Sequence, residues 1–357
     1  MFRTLKKVLR ITSLFVMVAF SLFVLNSCNK KEGEVTKKDD KTVQKNSDLV
    51  TKEDKGQKVN LKIVPKTGDK FRYKMTAKNS SKVNSPETGG QDYTSDQEMT
   101  YYYIQEVTDV NESGYITFKM KYDSIIVISR ATLKDSTISA TFNTNIKDTA
   151  NSSFETMMYN AMAGQDFKFR LSPKGEIADV YELEKIHEKF FKALGDTLKA
   201  DEKAKIKESI GSEALKSIIQ NQFQKFPDKE IYKDSSWTIS SETNLPVYQV
   251  FVFPIKNLLT YKIKDIRIDK DDILIVIDPL LGIEFIEKEY KEKGISVKIT
   301  DSQAGGHGEV IFNLSKGCVQ KKETKVNIDL DLKLSAKGQS AKANETKTTN
   351  ILVELIP

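Results

Sequence analysis

The sequence predicts an α+β protein that is mainly antiparallel β, with two related curved-sheet or half-barrel units and a helical insert between them. Apolar residues take every second position in several segments, and Val326, Ile328 and Leu330 are an example. Between residues 182 and 230 the spacing changes to that of amphipathic helices. One phrase also occurs twice, as FRLSPKGE from Phe169 and as FNLSKGC from Phe312. We therefore expect β units at 59–181 and 231–357, separated by an insert at 182–230.

The first 27 residues have the features of a secretory signal peptide. Arg3, Lys6, Lys7 and Arg10 form a basic start, and residues 11–25 form an apolar run. At ~1.5 Å per residue a helix of that run reaches only ~22 Å, short of the ~30 Å apolar core of a bilayer. A signal peptide over residues 1–27 is therefore favoured over a spanning helix.

The apolar run ends at a motif for lipid attachment. Leu25, Asn26, Ser27 and Cys28 resemble the lipobox of bacterial lipoproteins. This resemblance implies that Cys28 becomes the first residue of the mature chain and carries the lipid, because a thiolate is the nucleophile that accepts the lipid group. Two or more acyl chains hold a protein firmly on a membrane. The membrane is thus the first expected partner, reached through this anchor.

A charged segment follows the cysteine. Residues 29–58 contain nine lysines and seven acids but few aliphatic residues, so we expect 28–58 to be a disordered tether. Asn29 and the run from Lys30 to Glu32 are similar to the residues after the cysteine in outer-membrane and surface lipoproteins, which favours an outer-membrane address. With the signal peptide, the tether accounts for the whole net charge of +6. The neutral body argues against nucleic acid as a partner.

The repeated phrase predicts two similar hairpins. In each copy a phenylalanine and a leucine two positions apart lie on one strand face, and Ser, Lys and Gly then form a turn. Alternating strands around Thr100-Tyr101 and around Thr260-Tyr261 add a second match in the same order. An internal duplication is favoured, and convergence of common hairpin turns is the alternative.

Three segments have helical spacing. Leu183, Ile186, Phe190 and Leu194 define one apolar face, and Leu215, Ile218, Ile219 and Phe223 define another that we expect to continue until Pro227 stops it. A shorter helix is expected around Met157, Met158 and Met162.

The body, over most of residues 60–355, resembles a family of bacterial envelope lipoproteins known only as a domain of unknown function. The resemblance is carried by Gly68-Asp69, by FKFRLSPKGEI, by SEALKSIIQNQF and most specifically by FPDKEIYKDSSW from Phe226 to Trp237. Lys233 stands where the family pattern has glycine. The resemblance implies a layout and no activity.

Residues for catalysis, metals or cofactors do not form a recognisable set, so we predict no catalytic residue, no metal site and no cofactor. His187 has Glu184 three positions away, but a second such motif is missing, and His307 lies in a glycine-rich stretch that predicts a flexible loop. Asp269, Asp271 and Asp272 predict a turn rather than a calcium loop.

Two apolar stretches fit a binding role better. Residues 245–259 are apolar with two prolines, and residues 100–104 contain three tyrosines; both suit a cavity or partner patch, with core lining as the alternative. The expected function is a non-catalytic binding or carrier protein for an apolar ligand or an envelope protein. A structural or interaction lipoprotein without a cavity and a carboxylate-based hydrolase are the alternatives.

Replacing the lipid-bearing residue tests the anchor. We expect Cys28→Ala to remove acylation, so that the mature product loses its lipid mass and no longer sediments with membranes. Intact-protein mass spectrometry and membrane fractionation measure both effects, and Ser27→Ala, which keeps a small residue before the cysteine, is the control. An unchanged mass and membrane fraction for Cys28→Ala would contradict the anchor.

Overall fold

The computed structural model describes nine ranges of the chain: residues 50–53, 56–146, 153–195, 199–209, 211–248, 251–269, 271–292, 294–336 and 338–357. Cys28 and most of the predicted tether lie outside these ranges. Within the tether range, β1 (Val50–Glu53) and β2 (Gly56–Val59) pair as an antiparallel hairpin.

One antiparallel sheet of thirteen strands forms the body. Its strands are β3 (Lys70–Asn84), β4 (Asp92–Val110), β5 (Ile116–Leu133), β6 (Ser136–Asn143), β7 (Asp166–Leu171), β8 (Ile177–Tyr181), β9 (Ser236–Val247), β10 (Phe251–Asp269), β11 (Asp272–Phe285), β12 (Glu289–Glu292), β13 (Ile295–Asn313), β14 (Cys318–Ala336) and β15 (Gln339–Ile356). The order across the sheet is β8-β7-β5-β4-β3-β15-β14-β13-β11-β10-β9, with β6 beside β5 and β12 beside β13.

The prediction of two curved-sheet or half-barrel units with a helical insert is wrong. β15 pairs with β3 along thirteen residue pairs, from Asn344↔Asn84 to Ile356↔Arg72, and this pairing joins all the strands into one open sheet. Alternation in the sequence shows which face of a strand is buried, but it does not show which strands are neighbours. The long-range pairing of β3 with β15 therefore left no local signal.

The repeated phrase corresponds to two hairpin turns, as predicted, between β7 and β8 and between β13 and β14. Their glycines, Gly175 and Gly317, have φ of +85° and +62°. A Cβ on Gly175 would lie 2.0 Å from the backbone oxygen of Gln224, and one on Gly317 would lie 2.6 Å from the backbone nitrogen of Val64. Positive φ and a crossing backbone thus explain each glycine locally, and an internal duplication is not shown.

Helices form at the three predicted places, and a fourth helix, Ala200–Ser209, was not predicted. They are α1 (Phe154–Met162), α2 (Glu184–Leu194), α3 (Ala200–Ser209) and α4 (Ser212–Gln220). The amphipathic spacing of α2 buries Ile186 and Phe190, and the Phe190 ring packs edge-on against Phe154 of α1 with centroids 5.0 Å apart. α4 ends at Gln220 instead of continuing toward Pro227, because the chain beyond it bonds to the sheet.

The sheet rolls up at the end where β9 turns into β10. Tyr248 in that turn donates its backbone N–H to Oε2 of Glu345 at 2.8 Å, and Lys347 Nζ donates to the carbonyl of Pro246 at 2.7 Å. Glu345 and Lys347 belong to β15, four strands away from β10, which is ~19 Å in a flat sheet at ~4.8 Å per strand. Direct hydrogen bonds across that span require a strongly curled sheet. The Lys347 ammonium and the Glu345 carboxylate also form an ion pair at 3.0 Å.

Glycines of β13 allow the curl. The stretch around His307 lies inside β13, so the prediction of a flexible loop is wrong. A Cβ on Gly306 would lie 2.6 Å from the backbone oxygen of Lys325, and one on Gly308 would lie 2.1 Å from that of Glu323. The glycines serve the close approach of the β14 backbone rather than chain flexibility.

Gly308→Ala tests this close approach. We expect a loss of about 1–3 kcal/mol in the free energy of unfolding, because the new methyl group must push the β14 backbone away. Gly282→Ala in β11 is the matched control: its nearest non-neighbouring atoms, both of Leu258, lie 3.9 Å away. The control should change stability by less than about 0.5 kcal/mol. Urea unfolding measures both, and equal effects would contradict the explanation.

Candidate functional site

A row of buried residues crosses the inner face of the sheet. This central row contains one residue from each of eight neighbouring strands, and each residue is paired directly opposite the next. In the strand order β10, β11, β13, β14, β15, β3, β4 and β5, the residues are Ile263, Ile277, Val310, Lys322, Val353, Met75, Tyr101 and Ile125. Seven of them are apolar side chains no more than 4% exposed. The exception is Lys322, a lysine that is only 6% exposed.

Strand alternation places Lys322 on the inner face. Thr324, Val326, Ile328 and Leu330 follow it at every second position of β14 and are all buried. In the sequence Lys322 stands within KKE, which is typical of a solvated strand surface. Our sequence reasoning missed it, although continuing the alternation backwards from Leu330 would have identified it.

Burial lowers the pKa of Lys322 to about 7, because an ammonium loses its hydration inside the protein. Burial raises the pKa of Tyr73 and Tyr103, and it raises the pKa of the Cys318 thiol to about 12. Cys318 is thus a buried thiol with little thiolate character.

A segment after α4, residues 221–227, covers the middle of the inner face; we call it the strap. The Phe223 carbonyl accepts a hydrogen bond from Lys322 Nζ at 3.0 Å. Gln222 and Gln105 exchange amide bonds of 2.8 and 3.1 Å, and Tyr103 Oη donates to Gln222 Oε1 at 2.9 Å. Polar side chains of the sheet therefore fix the strap in one position.

The ends of the strap are fixed by the first hairpin turn. Gln220 donates to the Gly175 carbonyl and accepts from the Ile177 N–H, both at 2.9 Å. Lys174 Nζ donates to the Pro227 carbonyl at 2.7 Å. The glycine of the repeated phrase is needed here because the strap passes directly over it.

Aromatic rings fill the space between strap and sheet. Phe118 and Phe169 stack with centroids 4.9 Å apart, and Phe223 of the strap lies 6.3 and 6.0 Å from them. Phe226 packs edge-on against Phe312 of the second repeated phrase at 4.9 Å. At this place the inner face is occupied by the protein's own side chains.

The two apolar stretches considered for binding are part of the core. Tyr101 and Tyr103 lie on the inner face and are buried. Leu245, Val247 and Phe253 are also buried and belong to the rolled end of the sheet. The buried residues of both stretches therefore line the core.

The two histidines considered for chemistry lie on different elements. His187 is in α2, where burial lowers its pKa, and His307 is in β13. Among the described residues, no three His, Cys, Asp or Glu side chains are arranged to hold a metal ion. Glu155 of α1 is half-buried with a pKa raised by burial, and it accepts a hydrogen bond from Tyr159 at 2.9 Å.

A second part of the inner face is more open. Beyond the central row, β3 to β6 carry small side chains on this face, among them Ser81, Ser95, Ser129 and Ala131, which are only partly buried. Ile138 on β6 is 76% exposed. This open face, defined by these five residues, is a surface of small polar and apolar groups.

Membrane attachment is not visible in the described ranges. Cys28 lies outside them, and none of the helices within them is both long and apolar enough to cross a bilayer.

The fold and this site define a protein with one large antiparallel sheet whose inner face is covered by short helices and a strap. The family of unknown function DUF6263 matches residues 113–319, more than half of the chain. The protein belongs to this family, and the match includes α1 to α4, the strap and both repeated phrases. No curated protein matches the chain.

Similarity to solved structures is distant. A lipovitellin structure concerned with lipid–protein interactions is 11% identical with a TM-score of 0.39; the match covers 82% of this chain but only 26% of the lipovitellin chain. The β domain of the Bordetella autotransporter BrkA is 7% identical with a TM-score of 0.18, covering 78% and 98%. The transport unit of AIDA-I from Escherichia coli is 8% identical with a TM-score of 0.20, covering 80% and 90%. These scores are too low to bear on fold or function.

The buried lysine predicts a pH dependence of stability. The folded state releases the Lys322 proton near pH 7, whereas the unfolded state keeps it to about pH 10. Stability should therefore rise with pH from 7 to 9, by about 1 kcal/mol per pH unit from this group. Urea unfolding at pH 6, 7, 8 and 9 measures it.

Lys322→Met should remove this rise and be at least as stable as the wild type at pH 7, because a buried charge is replaced by an apolar group of similar size. Lys321→Met, the neighbour on the opposite face, should keep the wild-type slope. A wild-type slope in Lys322→Met would show that the lysine is not buried as described.

Proposed function

We propose that this protein is a lipoprotein of a bacterial cell envelope, anchored through acylated Cys28 and acting without catalysis as a binding or carrier protein. Its ligand is an apolar molecule or another envelope component. The basic start, the apolar run and the cysteine at its end support the anchor. The residues after Cys28 support an outer-membrane location.

The observation that carries the binding role is a continuous apolar face that is covered by the strap and helices. Apolar residues on seven strands line one continuous face, and this face is closed in the middle by the strap and helices rather than by a second sheet. Hydrogen bonds to Gln105, Tyr103 and Lys322 hold the strap. Such bonds each contribute only about 1 kcal/mol net, because water replaces them when the strap leaves.

A structural or interaction role is the second candidate, and the open face favours it. Ser81, Ser95, Ser129 and Ala131 present a polar sheet surface that a partner protein could cover. In this case the central row is only a core and the strap never leaves it.

Native mass spectrometry of protein purified gently from its membrane tests the first candidate. We expect a fraction of the molecules to carry one extra apolar molecule beyond the covalent lipid, released on denaturation. A clean mass without such a ligand contradicts the carrier role.

A photo-crosslinking residue at position 95 tests the second candidate in the same cells. Ser95 faces inward and its neighbour Asp96 faces outward, so a crosslinker at position 96 is the matched control. A defined envelope protein captured from position 95 and not from 96 supports the interaction role. Equal capture from both positions contradicts it.

A further inference from the structure

Lys322 has the environment of a ligand-binding charge. It is the central residue of a row that is otherwise apolar, with Val310 and Val353 directly opposite it on the two neighbouring strands. Among the described residues it forms no ion pair, and its hydrogen bond goes to a neutral carbonyl, that of Phe223. An ammonium has three N–H donors, and this hydrogen bond uses one of them.

The stability of the folded protein does not explain why position 322 is a lysine. Burying an ammonium without a carboxylate is unfavourable because its hydration is lost, and one bond to a carbonyl does not offset that loss. A methionine of similar length would fill the same space between Val310 and Val353 without the penalty. The lysine therefore has a use that the strap-covered state does not show.

Phe223 indicates what that use is. Its carbonyl oxygen lies 3.0 Å from Lys322 Nζ, and its ring packs among Phe118 and Phe169. One strap residue thus places an oxygen acceptor on the ammonium and an apolar group on the apolar face. A molecule with a carboxylate at one end and a hydrocarbon chain at the other would make both contacts, and its charge would match that of the lysine.

We propose that the inner face binds a long-chain carboxylate, with the carboxylate paired to Lys322 and the hydrocarbon chain lying toward Phe118 and Phe169 in place of the Phe223 ring. This inference rests on the proposed binding function and specifies its ligand class. From Lys322 on β14 to Phe118 on β5 the inner face crosses four further strands, ~19 Å at ~4.8 Å per strand, which accommodates an acyl chain.

The experiment compares oleate with oleyl alcohol, which has the same hydrocarbon chain without the charge. Binding to the delipidated mature protein is measured at pH 7 by displacement of a fluorescent acyl probe. The wild type should bind oleate at least tenfold more tightly than oleyl alcohol, since a charge-assisted pair in a buried site gives about tenfold or more. Lys322→Met should abolish this preference, and Lys321→Met, on the opposite face, should keep it.

Urea unfolding of the same preparations shows that Lys322→Met is folded, as its expected stability implies. Hydrogen exchange supplies the second readout: oleate should increase exchange at the strap amides, residues 221–227, in the wild type. Binding without such an increase overturns the displacement of Phe223.

The outcomes separate this inference from the function it rests on. Equal affinity for oleate and the alcohol in the wild type, or an unchanged preference in Lys322→Met, overturns the carboxylate pairing but leaves an apolar ligand in place. Failure of both molecules to bind, together with a clean native mass, overturns the carrier function as well.

Discussion

The wide apolar face of the sheet is the constraint on which the rest of the structure depends. Seven apolar side chains of the central row alone, at about 1.5–3 kcal/mol each for full burial, must be kept from water. Two solutions are used on one face. At the β9–β10 end the sheet rolls onto itself, held by Glu345 and Lys347, and in the middle it is covered by helices and the strap.

These two solutions differ in how easily they are reversed. The rolled end is an apolar core whose closure is built into the strands, since Gly306 and Gly308 admit the β14 backbone. The strap is a single chain segment whose position is set by buried amide, hydroxyl and ammonium groups. Buried polar contacts specify a position more than they add stability. Displacing the strap from the middle of the sheet therefore costs less free energy than unrolling the β9–β10 end.

The sequence predicted the local structure well and the global arrangement poorly. Helical spacing located α2 from Leu183 to Leu194, and alternation located β14, because both patterns record burial along one element. The pairing of β3 with β15 and the burial of Lys322 depend on neighbours far away in the chain. The glycines at 305, 306 and 308 predicted a loop because a glycine-rich composition is the same in a flexible loop and in a strand that a neighbouring backbone approaches closely. The strap was missed since Phe223 continues the helical spacing of α4.

The central position of β15 has a consequence for biogenesis. Before this strand docks, the long β3 and β14 edges present unpaired backbone groups to any other chain. Contacts between residues near 75 and 350 also carry a large loop-closure entropy, which slows their formation. The nascent protein therefore passes through an aggregation-prone stage until β15 is inserted, and a chaperone that shields strand edges would act during that interval.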